Sequence, residues 1–197
     1  MSSRVSEFTR KPANRRTGEP ANGVRILGID PGLEVTGYGV VEQSGGRLRL
    51  LEAGIIQSRG GASLEKRLLS IQRGIQRVVC DCHPDVAVLE ELYSHYRHPR
   101  TAILMGHARG VILSVCSEAK LPTQGYSAKR IRQAVTGNGN ASKEQVQQMV
   151  QTLLGLRKKS FPLDVSDALA LAVGHLYLDG GGTKSLLKGL SPDLADK

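Results

Sequence analysis

Four carboxylates lie where the character of the chain changes. Asp30 ends the apolar run VRILGID, Glu90 closes PDVAVLEEL ahead of a second acid, and Asp164 and Asp167 open DVSDALALAVGHLYL. In an open α/β sheet the carboxyl ends of the strands line the crevice where ligands bind, so Asp30 and Glu90 share one edge if their strands are parallel neighbours. Asp164 and Asp167 are three apart on a helix and can face one way. Four such groups in one cleft repel each other and need cations near neutral pH. Hard oxygen ligands suit Mg²⁺ or Mn²⁺, and paired ions of this kind stabilise the attacking and leaving oxygens in phosphodiester cleavage.

Each acid also has a local explanation. Asp30 before Pro31 and Gly32 can start a turn. Glu90 and Glu91 can be two surface acids, and Asp164 can cap its helix with Asp167 as its box partner. The glycines of GIDPGLEVTGYGV suggest a phosphate loop when read alone. Read with the three distant acids, they suggest a hairpin turning away from a metal site and clearing space for a DNA backbone.

The elements that must position these groups form a strand-first α/β pattern. VRILGID, TGYGVVEQ and RLRLLEAGIIQS are β-rich and separated by short Pro-Gly and Gly-Gly breaks, which favour antiparallel neighbours. Leu64, Leu68, Ile71, Ile75 and Val78 then recur at helical spacing. PDVAVLEEL is a short buried strand, TAILMGHARGVILSVCSEAK a long apolar helix and LPTQGY a brief strand. SAKRIRQAVTG, SKEQVQQMVQTLLGL and DVSDALALAVGHLYL are three further helices, the second opened by a Ser142–Gln145 capping box. The expected architecture is a mixed sheet with helices on both faces. It spans residues 24–179, between a polar tail (1–23) expected to be disordered and a glycine-rich C-terminal segment (180–197) expected to be flexible.

The chain of 197 residues carries 27 Lys and Arg against 18 Asp and Glu, a formal +9. From Lys120 to Lys159 there are eight basic residues and one acid, Glu144, so this stretch alone supplies +7. A solubility surface more often mixes its signs; a polyanion-binding surface is the expectation. No run of eighteen apolar residues offers a membrane span. Three cysteines and no apolar leader fit a reduced, cytosolic setting.

LGIDPGLEVTGYGVVE, VLEEL, GHARGVI, GNGNASKEQVQQMV and DVSDALALAVGH, in this order from Arg25 to Tyr177, together resemble the RuvC family of Holliday-junction resolvases. The third and fourth stretches are specific, because a generic sheet needs no such spacing. The resemblance implies an RNase H-like fold with a five-stranded mixed sheet, the first three strands antiparallel. It implies a bacterial crossover junction endodeoxyribonuclease, cytoplasmic and nucleoid-associated. As a homodimer this enzyme nicks opposing strands of a four-way junction with Mg²⁺, leaving 5′-phosphate and 3′-hydroxyl ends during recombination and repair. Two ions per site are expected, with Mn²⁺ as a possible substitute, and the family's acids fall on Asp30, Glu90, Asp164 and Asp167. The resemblance also implies a branch-migration motor, RuvA and RuvB, as partner.

Further roles follow by the same carry-over. Tyr93 matches an aromatic that stacks on an unpaired base, a contact contributing about 1–3 kcal/mol. Arg132 and Lys143 match phosphate-contacting positions, and Lys129 and Arg130 belong to the same basic stretch. Gly137 and Gly139 either let the backbone approach DNA or merely turn the chain. Gly106 and Gly110, four apart on one helix face around His107, are expected in the dimer interface, with core packing as the competing explanation. Where the family often has Gln after the site glutamate, this chain has Glu91, a fifth carboxylate.

Two other functions compete. A noncatalytic branched-DNA-binding protein would not need all four acids. An actin- or sugar-kinase-type phosphotransferase also begins with an Asp-x-Gly turn, but clamps its nucleotide between two domains totalling roughly 300 residues or more. CDCH at 80–83 has poor zinc spacing without a second pair. His95 and His98 lie in a polar loop and are given no role.

Overall fold

The structure is a computed structural model, described here over residues 23–58, 61–91, 99–156 and 161–179. Both terminal segments, Tyr93, His95, His98 and the basic run 157–159 therefore lie outside the described residues. Ten elements follow in order: β1 (Val24–Asp30), β2 (Val35–Ser44), β3 (Arg47–Gln57), α1 (Leu64–Cys82), β4 (Val86–Glu90), α2 (Pro99–Glu118), β5 (Thr123–Tyr126), α3 (Ala128–Thr136), α4 (Lys143–Leu153) and α5 (Leu163–Asp179). The strands form one sheet in the order β3-β2-β1-β4-β5. β1 and β2 pair antiparallel, as do β2 and β3, whereas β4 lies parallel to both β1 and β5. This is the expected five-stranded mixed sheet.

Helices cover both faces. Ile26, Val41 and Val88 pack with α3, α4 and α5, while Leu27, Ile29, Val40, Ala87 and Leu89 pack with α1 and α2. Because side chains alternate along a strand, β1 and β4 are buried on both sides and read as continuous apolar runs.

α5 lies unusually close to the sheet. Gly28 of β1 is paired with Gly39 of β2, and Asp30 with Gly37. A Cβ on Gly28 would fall 1.9 Å from the Ala168 carbonyl oxygen, and one on Gly37 would fall 2.1 Å from that of Asp164. A Cβ on Gly39 would meet the Leu169 side chain at 2.4 Å. These glycines therefore clear space for the protein's own helix. The expectation that they make room for a DNA backbone is corrected: sequence order alone did not reveal which element would lie over them.

Local signals hold at the elements that carry the site. The Thr36 hydroxyl, fully buried, donates to the Gly32 carbonyl at 2.7 Å and fastens the turn after Asp30. Ser142 accepts from the Gln145 N–H while the Gln145 side chain accepts from the Ser142 N–H, so the expected capping box starts α4. Gly137 ends α3 with φ 76°, a left-handed conformation that favours glycine.

Candidate active site

The sheet brings together acids that are distant in sequence. Asp30 ends β1, Glu90 ends β4, and the ladder between these strands runs to Ile29 opposite Leu89, one residue short of both acids. By strand alternation Asp30 projects to the side of Gly28 and Glu90 to the side of Val88, which is the face covered by α5. Asp164 and Asp167 lie in the first turns of α5, with Asp164 pressed onto Gly37 opposite Asp30. Asp164 is inside the helix, one residue past its start, rather than capping it.

The charges register this proximity. Burial, then Asp167, Glu90 and Asp164, push the Asp30 carboxyl from its ordinary 3.8 up to about 7. Glu90 is raised as well, by burial and then Asp167, against the opposing pull of Lys143 and Arg132. Lys143, at the start of α4, donates to Asp167 Oδ2 at 2.7 Å, and this bond raises its own pKa. A bond from Gln147 Nε2 to the Ser166 hydroxyl, 3.1 Å, ties α4 to α5 behind the pair. Among the described residues, no three acid, histidine or cysteine side chains are arranged around one point to grip an ion.

Glu91 is separated from this group. It projects to the opposite face by alternation, is exposed, and lies near Gly125, where Arg109 of α2 also reaches. An Arg109 guanidinium N–H donates to the carbonyl oxygen of Glu90. Arg109 was missed in the sequence, where one arginine in GHARGVI looks like any helix-surface charge.

Of the basic candidates, Lys143 and Arg132 lie near the acids. Lys129, Arg130 and Lys143 are exposed and Arg132 is half-buried. The Arg130 guanidinium lies 5.1 Å from the centre of the Tyr126 ring, whose hydroxyl shares a 2.9 Å hydrogen bond with the buried His175 Nδ1. Gly137 is exposed, but Gly139 is buried beneath Lys129, and its N–H donates to the Gln133 side chain at 2.9 Å. On α2, His107 and Gly110 are exposed, and a Cβ on Gly106 or Gly110 would meet nothing within 4 Å, so core packing does not explain these glycines. In CDCH, Cys80 is exposed, while Cys82 is buried and donates to Glu52 at 3.1 Å.

Residues 26–175 match the family model described as crossover junction endodeoxyribonuclease RuvC. A protein of that name from Rhodopirellula baltica is 46% identical over 162 residues, covering 82% of this chain and 91% of that protein. Its namesake from Ralstonia pickettii is 41% identical over 174 residues, covering 88% and 94%. The structure of Thermus thermophilus RuvC in complex with a Holliday junction substrate superposes with a TM-score of 0.75 at 31% identity, covering 79% of this chain and 94% of that one. Sequence and fold thus place the chain in the RuvC family of crossover junction endodeoxyribonucleases.

Proposed function

We propose that the protein resolves four-way DNA junctions as a homodimer, each subunit nicking one of two opposing strands at the cleft formed by Asp30, Glu90, Asp164 and Asp167. The observation that carries this reading is the convergence of the acids. Asp30 and Glu90 end neighbouring parallel strands and α5 packs at Gly37 opposite Asp30. Burial and then Asp167, Glu90 and Asp164 thereby push the Asp30 carboxyl up to about 7. Such a surplus of hard oxygen donors fits a divalent cation. Nucleases of this family are metal-dependent, and Mg²⁺, two ions per site with Mn²⁺ able to replace it, is the ion whose chemistry fits. When bound, the metal would polarise the scissile phosphate and lower the pKa of a water.

The chain's own groups do the rest. Asp30 and Glu90 hold the cation from the rigid sheet edge, and Asp164 and Asp167 hold it from α5. Lys143 and Arg132, now turned toward these acids, contact phosphates beside the cleft, and Lys129 and Arg130 extend that surface. Tyr93 stacks on a base at the crossover. The open face of α2 around Gly106, His107 and Gly110 meets the partner copy, setting two clefts at a fixed separation. The motor complex RuvA and RuvB and a cytoplasmic, nucleoid-associated location complete the assignment; no helix among the described residues is long and apolar enough to cross a membrane.

The test is a labelled four-way junction beside a matched linear duplex. Paired symmetric nicks should appear in the junction alone, and only with Mg²⁺ or Mn²⁺. Asp30→Asn should cut at least about a hundredfold more slowly while still binding the junction. Wild-type cleavage by Asp30→Asn would remove the acid cluster from the mechanism.

A further inference from the structure

Backbone hydrogen bonding at the end of β4 leaves one acceptor unpaired. In a parallel ladder, alternate residues direct both N–H and C=O toward the same neighbour. The Ala87 N–H bonds the Pro122 carbonyl and the Glu91 N–H bonds that of Tyr126, so residues 87, 89 and 91 address β5. Residues 86, 88 and 90 then address β1. There, the bond from Asp85 N–H to the Arg25 carbonyl and the register Gly28 opposite Val88 set the phase. Continuing that ladder, the Glu90 carbonyl would accept from the backbone N–H of residue 31. Residue 31 is Pro31, which has none.

Leaving a partly buried carbonyl without a donor is costly, and here a side chain supplies one. Arg109, one turn before the fully buried Ile112 and beside the fully buried Ala108, donates to that oxygen from α2. Its guanidinium runs beside Gly125 of β5, where a Cβ would lie in ordinary contact with it at 3.6 Å and closer, at 3.1 Å, to the Glu91 side chain. The residue held in this way is the one whose carboxylate belongs to the acid cluster.

We propose that Arg109 is a positioning residue for Glu90: it replaces the backbone donor that Pro31 lacks and fixes the end of β4, so that the Glu90 carboxylate is held toward the metal-binding acids. The inference rests on the reading of Glu90 as a metal ligand. In this role Arg109 acts through the Glu90 backbone. Pro31 of the Asp-Pro-Gly turn removes a ladder donor, and the arginine of a distant helix supplies one in its place.

The experiment compares wild type, Arg109→Gln, Arg109→Lys and Glu90→Gln. Mn²⁺ binding is measured by titration calorimetry on the intact protein, alongside junction affinity without divalent ions and junction nicking with Mn²⁺. Arg109→Gln should weaken Mn²⁺ binding about tenfold and lower the nicking rate by about 10- to 100-fold, the range seen when groups that orient a metal ligand are removed. Metal-free junction affinity should not change. Arg109→Lys keeps a charged donor on a similar stem; it should fold even if the glutamine variant does not, and return both values to within about threefold of wild type. Arg109→Gln with wild-type Mn²⁺ affinity, or Arg109→Lys as impaired as removal of the donor predicts, overturns the proposal. Glu90→Gln separates the two levels. If it leaves Mn²⁺ binding intact, the Glu90 reading itself fails; if it weakens binding and Arg109→Gln does not, only the positioning role fails.

Discussion

α2 and α5 are both apolar over most of their length, yet they lie on opposite faces of the sheet and are buried very differently. From Val165 to Tyr177 nearly every α5 residue is buried, Asp167 being only half-exposed among them. α2 buries Ala108, Ile112, Val115 and Cys116, but leaves His107, Gly110 and Ser114 exposed and Ile103 61% exposed. An apolar helix that one chain covers on all sides is a core element, whereas α2 keeps a stripe that includes Gly110 and Ser114 open. Glycines mark both helices with opposite meanings. Gly28 and Gly37 let a backbone in and Gly39 lets in a leucine side chain, whereas Gly106 and Gly110 have nothing against them.

Substitutions can break this contrast. The largest effect is expected from Gly28→Ala, whose methyl would sit 1.9 Å from a backbone oxygen that no rotamer can move. It should cost about 3 kcal/mol or more in urea unfolding and abolish cleavage by displacing α5. Asp30→Asn should act in the other direction on stability. In metal-free protein the folded carboxyl titrates near 7, raised from 3.8, so ionisation destabilises the fold from about pH 4 upward and fully above about pH 7. The variant should gain about 1–3 kcal/mol at pH 8 and nothing near pH 3. A flat stability difference across that range would mean that Asp30 is neither buried nor crowded by the other acids in solution.

On the open helix, Ile103→Glu should weaken self-association about tenfold, about 1.4 kcal/mol, read by sedimentation, and leave unfolding of the separated subunit within about 0.5 kcal/mol of wild type. The smallest effect is expected of Gly110→Ala. With no atom near its new methyl, it should stabilise the dilute subunit by up to about 1 kcal/mol through helix propensity. Destabilisation instead would place Gly110 in a packed interior and erase the distinction between the two helices.

The contrast also separates what was legible in the sequence from what was not. All ten elements follow from period and punctuation, and the Ser142–Gln145 capping box formed as written, because such signals act within a few residues. Asp30, Glu90, Asp164 and Asp167 could be picked because acids at the ends of apolar runs are conspicuous. That Glu90 rather than Glu91 faces them needed the parallel pairing of β1 with β4, a long-range fact that fixes which residues share a face. Arg109 was invisible for a similar reason: its partner is a backbone carbonyl defined by Pro31, far away in the chain. Lys143 read as a phosphate contact, and its bond to Asp167 depends on how α4 packs against α5.

The seating of α5 on the glycines of β1 and β2 also determines when the chain can become a nuclease. Asp30 lies on the first strand and Asp164 on the last described helix, and contacts between such distant segments close late because they carry the largest loop entropy. The basic residues of α3 and α4 proposed to contact phosphates are near neighbours in sequence and need no such closure. If the four acids cut as proposed, strand scission is interlocked with completion of the domain, because an unfinished chain lacks the assembled acids.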